Sequence, residues 1–314
     1  MKIEQMQNIS IIIPVYNEQK NIIPLYQQLK QTLSLLPHSH EIIFIDDGSK
    51  DNTAQTIQTL TLKNPTIKLI QLRKHFGKAD ALSAGFRHAR GDIIITMDGD
   101  LQDDPQEIPR FLDKINQGYD LVSGWKYHRK DPITKTIPSL IFNALIRVVT
   151  GIKIHDSNCG YKAYTKETAK TLSIYGELHR YIPSIAQHKG FKITEIKVIH
   201  HPRKHGKSKY GITRVFKGFI DLLTITYLNL YMEKPLHLFG LAGGILFSLG
   251  FSAGLYLTYL WYIDIAIWNR PLPLLSVLLM VVGIQFLFTG FIGEMIVNFN
   301  RNKETEEQKI RRKI

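Results

Sequence analysis

Residues 97–105 read MDGDLQDDP and place four carboxylates within seven residues, directly after the apolar run DIIIT. Asp98 and Asp100 stand at i and i+2. In extended chain such side chains share a face, with Cα atoms about 6.5–7 Å apart. Two carboxylates held that way repel unless a cation or a hydrogen-bond donor lies between them. Hard divalent cations, Mg2+ or Mn2+, take oxygen ligands and commonly bridge to substrate phosphates. Gln102 would add a neutral oxygen on the same face if the extension continues. Idle charge at the end of a buried strand is costly, so Asp98 and Asp100 are read as a site. Asp103 and Asp104, before Pro105, are read as solvated acids that cap a helix.

Two more polar clusters follow apolar runs. In IDDGSKDNT (45–53), Asp46 or Asp47 could accept from a nucleobase N–H or a ribose hydroxyl, and Asp51 reads as the N-cap of the next helix. In PVYNE (14–18), Pro14 opens a turn whose Tyr16, Asn17 and Glu18 could meet the same nucleoside. Turn chemistry accounts for DDGS equally well. A basic stretch, HPRKHGKSKYGITRVFKG (201–218), contains Arg203, Lys204, Lys207, Lys209, Arg214 and Lys217 and no acid. It suits a diphosphate or lipid head groups. Its GKS is not a P-loop, because position 201 is His where the first glycine is needed. His200, His201 and His205 do not make a zinc site, because no Cys or acid completes one.

The elements that must carry these residues alternate in type. ISIIIPVYN (9–17), EIIFIDDGS (41–49), IKLIQLR (67–73) and GDIIITMDGD (91–100) read as strands. Residues 20–36, 51–63 and 78–89 read as helices, the first with Leu25, Leu29, Leu33 and Leu36 at helical spacing. Strands separated by helices imply an α/β fold with a parallel sheet and right-handed crossovers. Ligands of such sheets bind beyond the carboxyl ends of the strands, where PVYNE, IDDGS and MDGDLQDDP converge.

The chain has 314 residues, 44% of them hydrophobic, a formal net charge of +13 and a single cysteine, Cys159. One cysteine excludes an internal disulfide and fits a reducing compartment. The start, MKIEQMQN, is polar and runs into a strand, so no signal peptide is expected. The charge suits nucleic acid, anionic lipid or phosphorylated ligands. The apolar C-terminal part favours the last two, and no nucleic-acid partner is expected.

Residues 138–150 and 211–231 read as amphipathic helices lying in the membrane surface; ordinary core-facing helices are the alternative. Residues 236–262 contain no acid, Lys or Arg. At 1.5 Å per residue that length reaches about 40 Å, more than the roughly 30 Å hydrocarbon core. Residues 272–299 form a second span, with Glu294 near its far end, at an interface or facing a protein partner. The tail 301–314 holds six Lys or Arg, which places it in the cytoplasm. Two spans return the chain to its starting side, so the N-terminal part is expected there too, on a plasma (inner) membrane. The expected division is a core of 1–132, a part of 133–234 that carries the two amphipathic helices, spans in 235–299 and a tail of 300–314.

PVYNE, DDGSKDNT, GKADALSAG and MDGDLQDDP together resemble the GT-A (Rossmann-like) catalytic domain of family 2 glycosyltransferases. With NCGYKAY, GELHRYIP and HPRKHGKSKYG, the chain resembles bacterial polyprenyl-phosphate glycosyltransferases, relatives of dolichyl-phosphate mannosyltransferase. The resemblance runs over nearly the whole chain. It implies inverting transfer from a nucleotide-activated sugar, GDP- or UDP-linked, to a polyprenyl phosphate. It implies that Asp98, Asp100 and Gln102 hold the metal and diphosphate, and that Tyr16, Glu18 and Asp47 hold the nucleoside. Lys78 would lie near the donor, and Arg203 would close over its diphosphate with Ser208 and Lys209 beside it. Lys126, Arg129, Lys135 and Ser139 are the acceptor-phosphate candidates; the resemblance to mannosyltransferases implies an Arg more often than a Lys at position 126. Asp156, a catalytic candidate with Asp98, Asp100 and Arg203, and Asn158 match a stretch that lines the active site, and Glu177 would reach the sugar; a structural turn or cap role is the alternative for each of these three. A homo-oligomer is left open.

Two other readings compete. A processive polysaccharide synthase would carry a Gln-x-x-Arg-Trp motif and more spans, and no Arg-Trp pair occurs here. A non-catalytic membrane scaffold would have no reason to keep the acids. A Rossmann dehydrogenase is excluded, because no G-x-G-x-x-G follows the first strand.

Overall fold

A computed structural model describes residues 8–127, Arg147, 151–202, 234–266 and 271–301. The chain divides into two compact units, Met1–Leu222 and Leu223–Ile314. The two expected interfacial helices, apart from Arg147, and the basic tail beyond residue 301 lie outside the described residues.

The first unit is built on one sheet. β1 (Ile9–Val15), β2 (His40–Asp46), β3 (Ile67–Gln71) and β4 (Ile93–Thr96) are mutually parallel, with β1 between β2 and β4. Their continuous Ile-rich runs follow from burial on both faces, and Ile11, Ile12 and Ile13 of β1 are fully buried. Between these strands run α1 (Gln19–Leu33), α2 (Thr53–Lys63) and α3 (Lys78–His88). α1 buries Ile22, Leu25, Leu29 and Leu33, the face that its spacing predicts. It stops before residue 36 because Pro37 disfavours helical backbone in the residue ahead of it.

After α4 (Ile108–Asn116) come β5 (Leu121–Lys126), β6 (Lys162–Thr165), α5 (Lys166–Thr171), α6 (Ile182–His188) and β7 (Ile193–Val198). The seven strands lie in the order β3-β2-β1-β4-β6-β5-β7. β6 runs antiparallel to both β4 and β5, while β5 and β7 are parallel. The sheet is therefore mixed, and it crosses the boundary expected at residue 132. β1 and β4 are neighbours that lead to opposite directions of strand order, the place where α/β sheets open a crevice.

The fourth strand is shorter than expected. Met97 N donates to Ile12 O at 3.1 Å, and pairing with β1 then stops. Asp98 N turns inward to Asp103 Oδ2 at 3.0 Å, and Leu101 takes φ 64°. Asp98, Asp100 and Gln102 thus sit on a tight turn and not along one extended face.

In the second unit, α7 (Pro235–Tyr262) and α8 (Leu272–Arg301) pack against each other along their length. Both are long and apolar enough to cross a membrane, and their outward faces carry exposed Leu241, Leu249, Tyr259, Leu278 and Phe288. Glycine sets their approach. A Cβ on Gly283 would lie 2.6 Å from Phe247 N, and one on Gly250 would lie 2.7 Å from Ser276 O. Close backbone approach through small residues is how apolar helices associate where the hydrophobic effect is absent. Gly283→Leu is therefore expected to force the pair apart, and the detergent-solubilised protein should melt at least several degrees lower. Glu294 accepts from Leu236 N at 3.5 Å, placing its carboxylate at the N-terminus of α7, where backbone donors lack helical partners and negative charge is favoured.

Candidate active site

The polar clusters of 14–18, 46–49 and 97–104 meet at the carboxyl ends of β1, β2 and β4. Pro14 and Val15 end β1 in register with Ile45 and Asp46. Tyr16 stacks on His75, ring centroids 4.1 Å apart and planes 17° from parallel. Asn17, at φ 54°, accepts from Lys50 N at 2.8 Å and so ties the two loops together. Glu18 accepts from Asn21 Nδ2 at 2.5 Å. Asp51 accepts from Thr53 N at 3.0 Å, but the residue at the N-cap of α2 is Asn52.

The two acids of IDDGS have different surroundings. Asp46 is fully buried; its Oδ1 accepts from Ser49 N at 3.1 Å and its Oδ2 has no hydrogen-bond partner among the described residues. Asp47 accepts from Phe76 N at 2.8 Å and Gly77 N at 2.9 Å, and pairs with His75 Nδ1 at 2.8 Å. Asp47 therefore orders the 75–77 loop and, through it, His75 under Tyr16. Gly48 allows this packing: at φ 68° its Cβ would lie 2.4 Å from Lys74 C.

Lys78 starts α3, and its ammonium rests on Asp98 Oδ1. Burial works to raise the Asp98 carboxyl, but Lys78 and then Lys126 outweigh it and hold the group well below the usual carboxylate range. Gly160 lies against the pair: a Cβ there would be 2.7 Å from both Asp98 oxygens and 2.8 Å from Lys78 Nζ. Asp100 is 8% exposed and accepts from Gln102 N at 3.2 Å. The Gln102 amide nitrogen is 3.3 Å from His201 O and 3.4 Å from His200 Nε2.

Asp103, expected to be solvated, is 2% exposed, accepts from Asp98 N and lies 3.2 Å from Lys126 Nζ. Asp104 caps the following turn by accepting from Gln106 N at 2.9 Å, as expected, and also pairs with His201 at 3.0 Å. Lys126, expected at the acceptor phosphate, thus faces the Asp98–Asp103 turn. Asp156 is buried beside this region, and Glu177 pairs with Arg180 at 2.8 Å. Arg203, Ser208, Lys209, Arg129, Lys135 and Ser139 lie outside the described residues.

Sequence reading missed His75 and Lys162 and left His179 without a role. Burial, reinforced by Lys78 and Arg180, pulls His179 down to about 3, so its ring is neutral at pH 7. Lys162 is fully buried on β6 and donates to Cys159 O. Burial pulls its ammonium down from 10.5 to about 8. Between about pH 8 and 10.5 the unfolded chain therefore binds more protons at this site than the folded one, so the contribution of Lys162 to stability rises with pH across that window. Lys162→Met should remove that contribution, read as a slope of melting temperature between pH 8 and 10 that is less positive than in wild type.

Whether this turn suits a divalent cation depends on its donors. Asp98, Asp100 and Gln102 offer carboxylate and amide oxygens within one turn. The described residues contain no three-residue His, Cys, Asp or Glu cluster of metal-binding type. Mg2+ does not require one, since it is commonly held by one or two carboxylates together with substrate phosphates and water. The donors fit such a half-site, with Asp98 already neutralised by Lys78.

Residues 10–173 match the family model described as Glycosyl transferase family 2. The chain is 36% identical over 301 residues to a dodecaprenyl-phosphate galacturonate synthase of Rhizobium johnstonii, covering 93% of this chain and 88% of that protein. It is 35% identical over 291 residues to an undecaprenyl-phosphate 4-deoxy-4-formamido-L-arabinose transferase of Shewanella sediminis, covering 92% and 86%. Among solved structures it is similar in fold to glucosyl-3-phosphoglycerate synthase of Mycobacterium tuberculosis in complex with Mn2+ and UDP-glucose. That match has a TM-score of 0.55 at 16% identity, over 70% of this chain and 79% of that one. The same enzyme with Mg2+ and UDP matches with a TM-score of 0.53 at 16% identity, over 69% and 79%.

Proposed function

Because the chain belongs to glycosyl transferase family 2, we propose that it transfers a glycosyl group, with inversion, from a nucleotide-diphospho-sugar to a polyprenyl phosphate. The observation that carries this reading is similarity to two polyprenyl-phosphate sugar transferases across more than nine-tenths of the chain. That span takes in the apolar helices as well as the sheet. The anomeric carbon–diphosphate oxygen bond breaks, a bond from the lipid phosphate oxygen to that carbon forms, and a nucleoside diphosphate leaves.

In this reading the Tyr16–His75 stack and the 46–49 loop take the nucleoside. Asp98, Asp100 and Gln102 hold Mg2+ or Mn2+, with Lys78 adding positive charge beside the diphosphate. A cation bound there neutralises charge growing on the leaving group. The nucleophile is a phosphate already ionised at pH 7, so no strong base is needed and placement dominates. Asp156 lines the active site. Arg203, Ser208 and Lys209 act on the diphosphate, and Arg129, Lys135 and Ser139 on the lipid phosphate. The reaction takes place at the cytoplasmic face of a plasma (inner) membrane, which α7 and α8 cross.

The test offers undecaprenyl phosphate, Mg2+ or Mn2+, and a panel of labelled GDP- and UDP-sugars to the protein in mild detergent. Label moving into the lipid phase from one donor supports the proposal and names the sugar. Label entering a long water-soluble polymer favours the processive synthase. No movement from any donor favours the scaffold.

A further inference from the structure

We propose that Asp103 and Lys126 are positioning residues: a buried ion pair that fixes the turn carrying Asp98, Asp100 and Gln102, with Lys126 acting on that turn and not on the acceptor phosphate. The inference rests on the reading of the turn as a cation and diphosphate site. It concerns two residues outside the ligand set.

The turn leaves the sheet early, and Asp103 is the side chain that closes it onto Asp98 N. β4 ends at Thr96, and from Asp98 onward the backbone is not in the ladder. Asp103 closes it, with Oδ2 accepting from Asp98 N at 3.0 Å. Its other oxygen, Oδ1, is 3.2 Å from Lys126 Nζ, and the two side chains are 1% and 12% exposed. Lys126 is the last residue of β5, paired in register with Val198 of β7. The pair thus pins the loop after β4 to a strand two places along the sheet. A backbone bridge between Asp103 and His200 holds the same residue from the other side.

The Lys126 side chain is 12% exposed, and its ammonium faces the buried Asp103 carboxylate across 3.2 Å. An ammonium so engaged would have to leave a buried carboxylate uncompensated in order to follow a lipid phosphate. Leaving one partner of a buried pair alone is strongly unfavourable. The pair instead sets where the Asp98 backbone begins its turn, and so where the Asp98 and Asp100 carboxylates point.

Asp103→Asn, Lys126→Met, the double variant and Lys126→Arg would be made in the full chain and purified in detergent. Mn2+ binding in the presence of UDP, and separately GDP, would be followed by electron paramagnetic resonance. Transfer kinetics would be measured against undecaprenyl phosphate. Each single change is expected to weaken Mn2+ binding at least about tenfold and to lower kcat, leaving KM for undecaprenyl phosphate within about twofold. The double variant should be no worse than the poorer single, because the two act as a unit. Lys126→Arg, which keeps the charge, should retain most of the Mn2+ affinity. A raised KM for undecaprenyl phosphate in Lys126→Met, with Mn2+ binding unchanged, would overturn the proposal and return Lys126 to the acceptor. Additive losses in the double variant, or wild type that binds no Mn2+ with either nucleotide, would also overturn it. If wild type binds Mn2+ but transfers from no donor, the glycosyl-transfer reading fails while the binding comparison still decides the pair. Asp103→Asn is nearly isosteric, so it decides the case if Lys126→Met does not fold.

Discussion

Asp100→Asn is expected to lower transfer of label to undecaprenyl phosphate by about 10²–10³-fold, the usual loss when one group that stabilises transition-state charge is removed. The substitution keeps shape and removes one formal charge from a buried position on the turn. Asp100 also accepts from Gln102 N, and an amide oxygen can still take that bond, so the turn should survive. The melting temperature should therefore stay within a few degrees of wild type while Mn2+ affinity in the presence of nucleotide falls. Full activity in the variant would remove Asp100 from the site and leave the reaction class to be explained by other groups.

Gly160→Ala is the second large effect. One added methyl group would need the space of both Asp98 oxygens and of Lys78 Nζ. All three atoms are ends of side chains, which can move aside at little cost to the fold. Their displacement falls on the ion pair at the centre of the site, and misplacement by about 1 Å is enough for a loss near 10²-fold. Near-normal melting with transfer reduced to that extent is the expected result. A loss of melting temperature in proportion to the loss of rate would instead mean that Gly160 serves packing alone.

Much of the nucleotide-side architecture was legible from local pattern. Uninterrupted Ile-rich runs of β1, β2 and β4 have no amphipathic alternative, and Leu25, Leu29 and Leu33 could lie on one helix face only. The acids of 46–47 and 98–100 were legible because charge at the exit of a buried strand needs a reason. What could not be read depended on partners distant in sequence. Asp103 looks like any loop acid until Lys126 arrives from β5. His75 has no helical or strand period to mark it, and only its stack on Tyr16 gives it meaning. β6 is four residues, KAYT, with its lysine buried. Hydrophobic pattern hides such a strand, since pairing on both edges is what places it in the sheet. The extension expected through Gln102 failed because strand geometry needs a paired neighbour, and the pairing of β4 with β1 ends at Thr96 and Ile12.

The sheet order also bears on how the polypeptide is made. β4 is paired on one side by β1, but its other edge waits for β6, which a ribosome delivers only after some sixty further residues. During that interval a nascent chain carries the unpaired Ile93–Thr96 edge, and β5 has nothing to join until Lys162–Thr165 emerges. Open apolar edges of this kind recruit other strands, so products truncated between β5 and β6 should aggregate and depend on chaperones. The same order means that a fragment ending near residue 132 is not an independent module: it would carry β5 without the strand that attaches β5 to the rest.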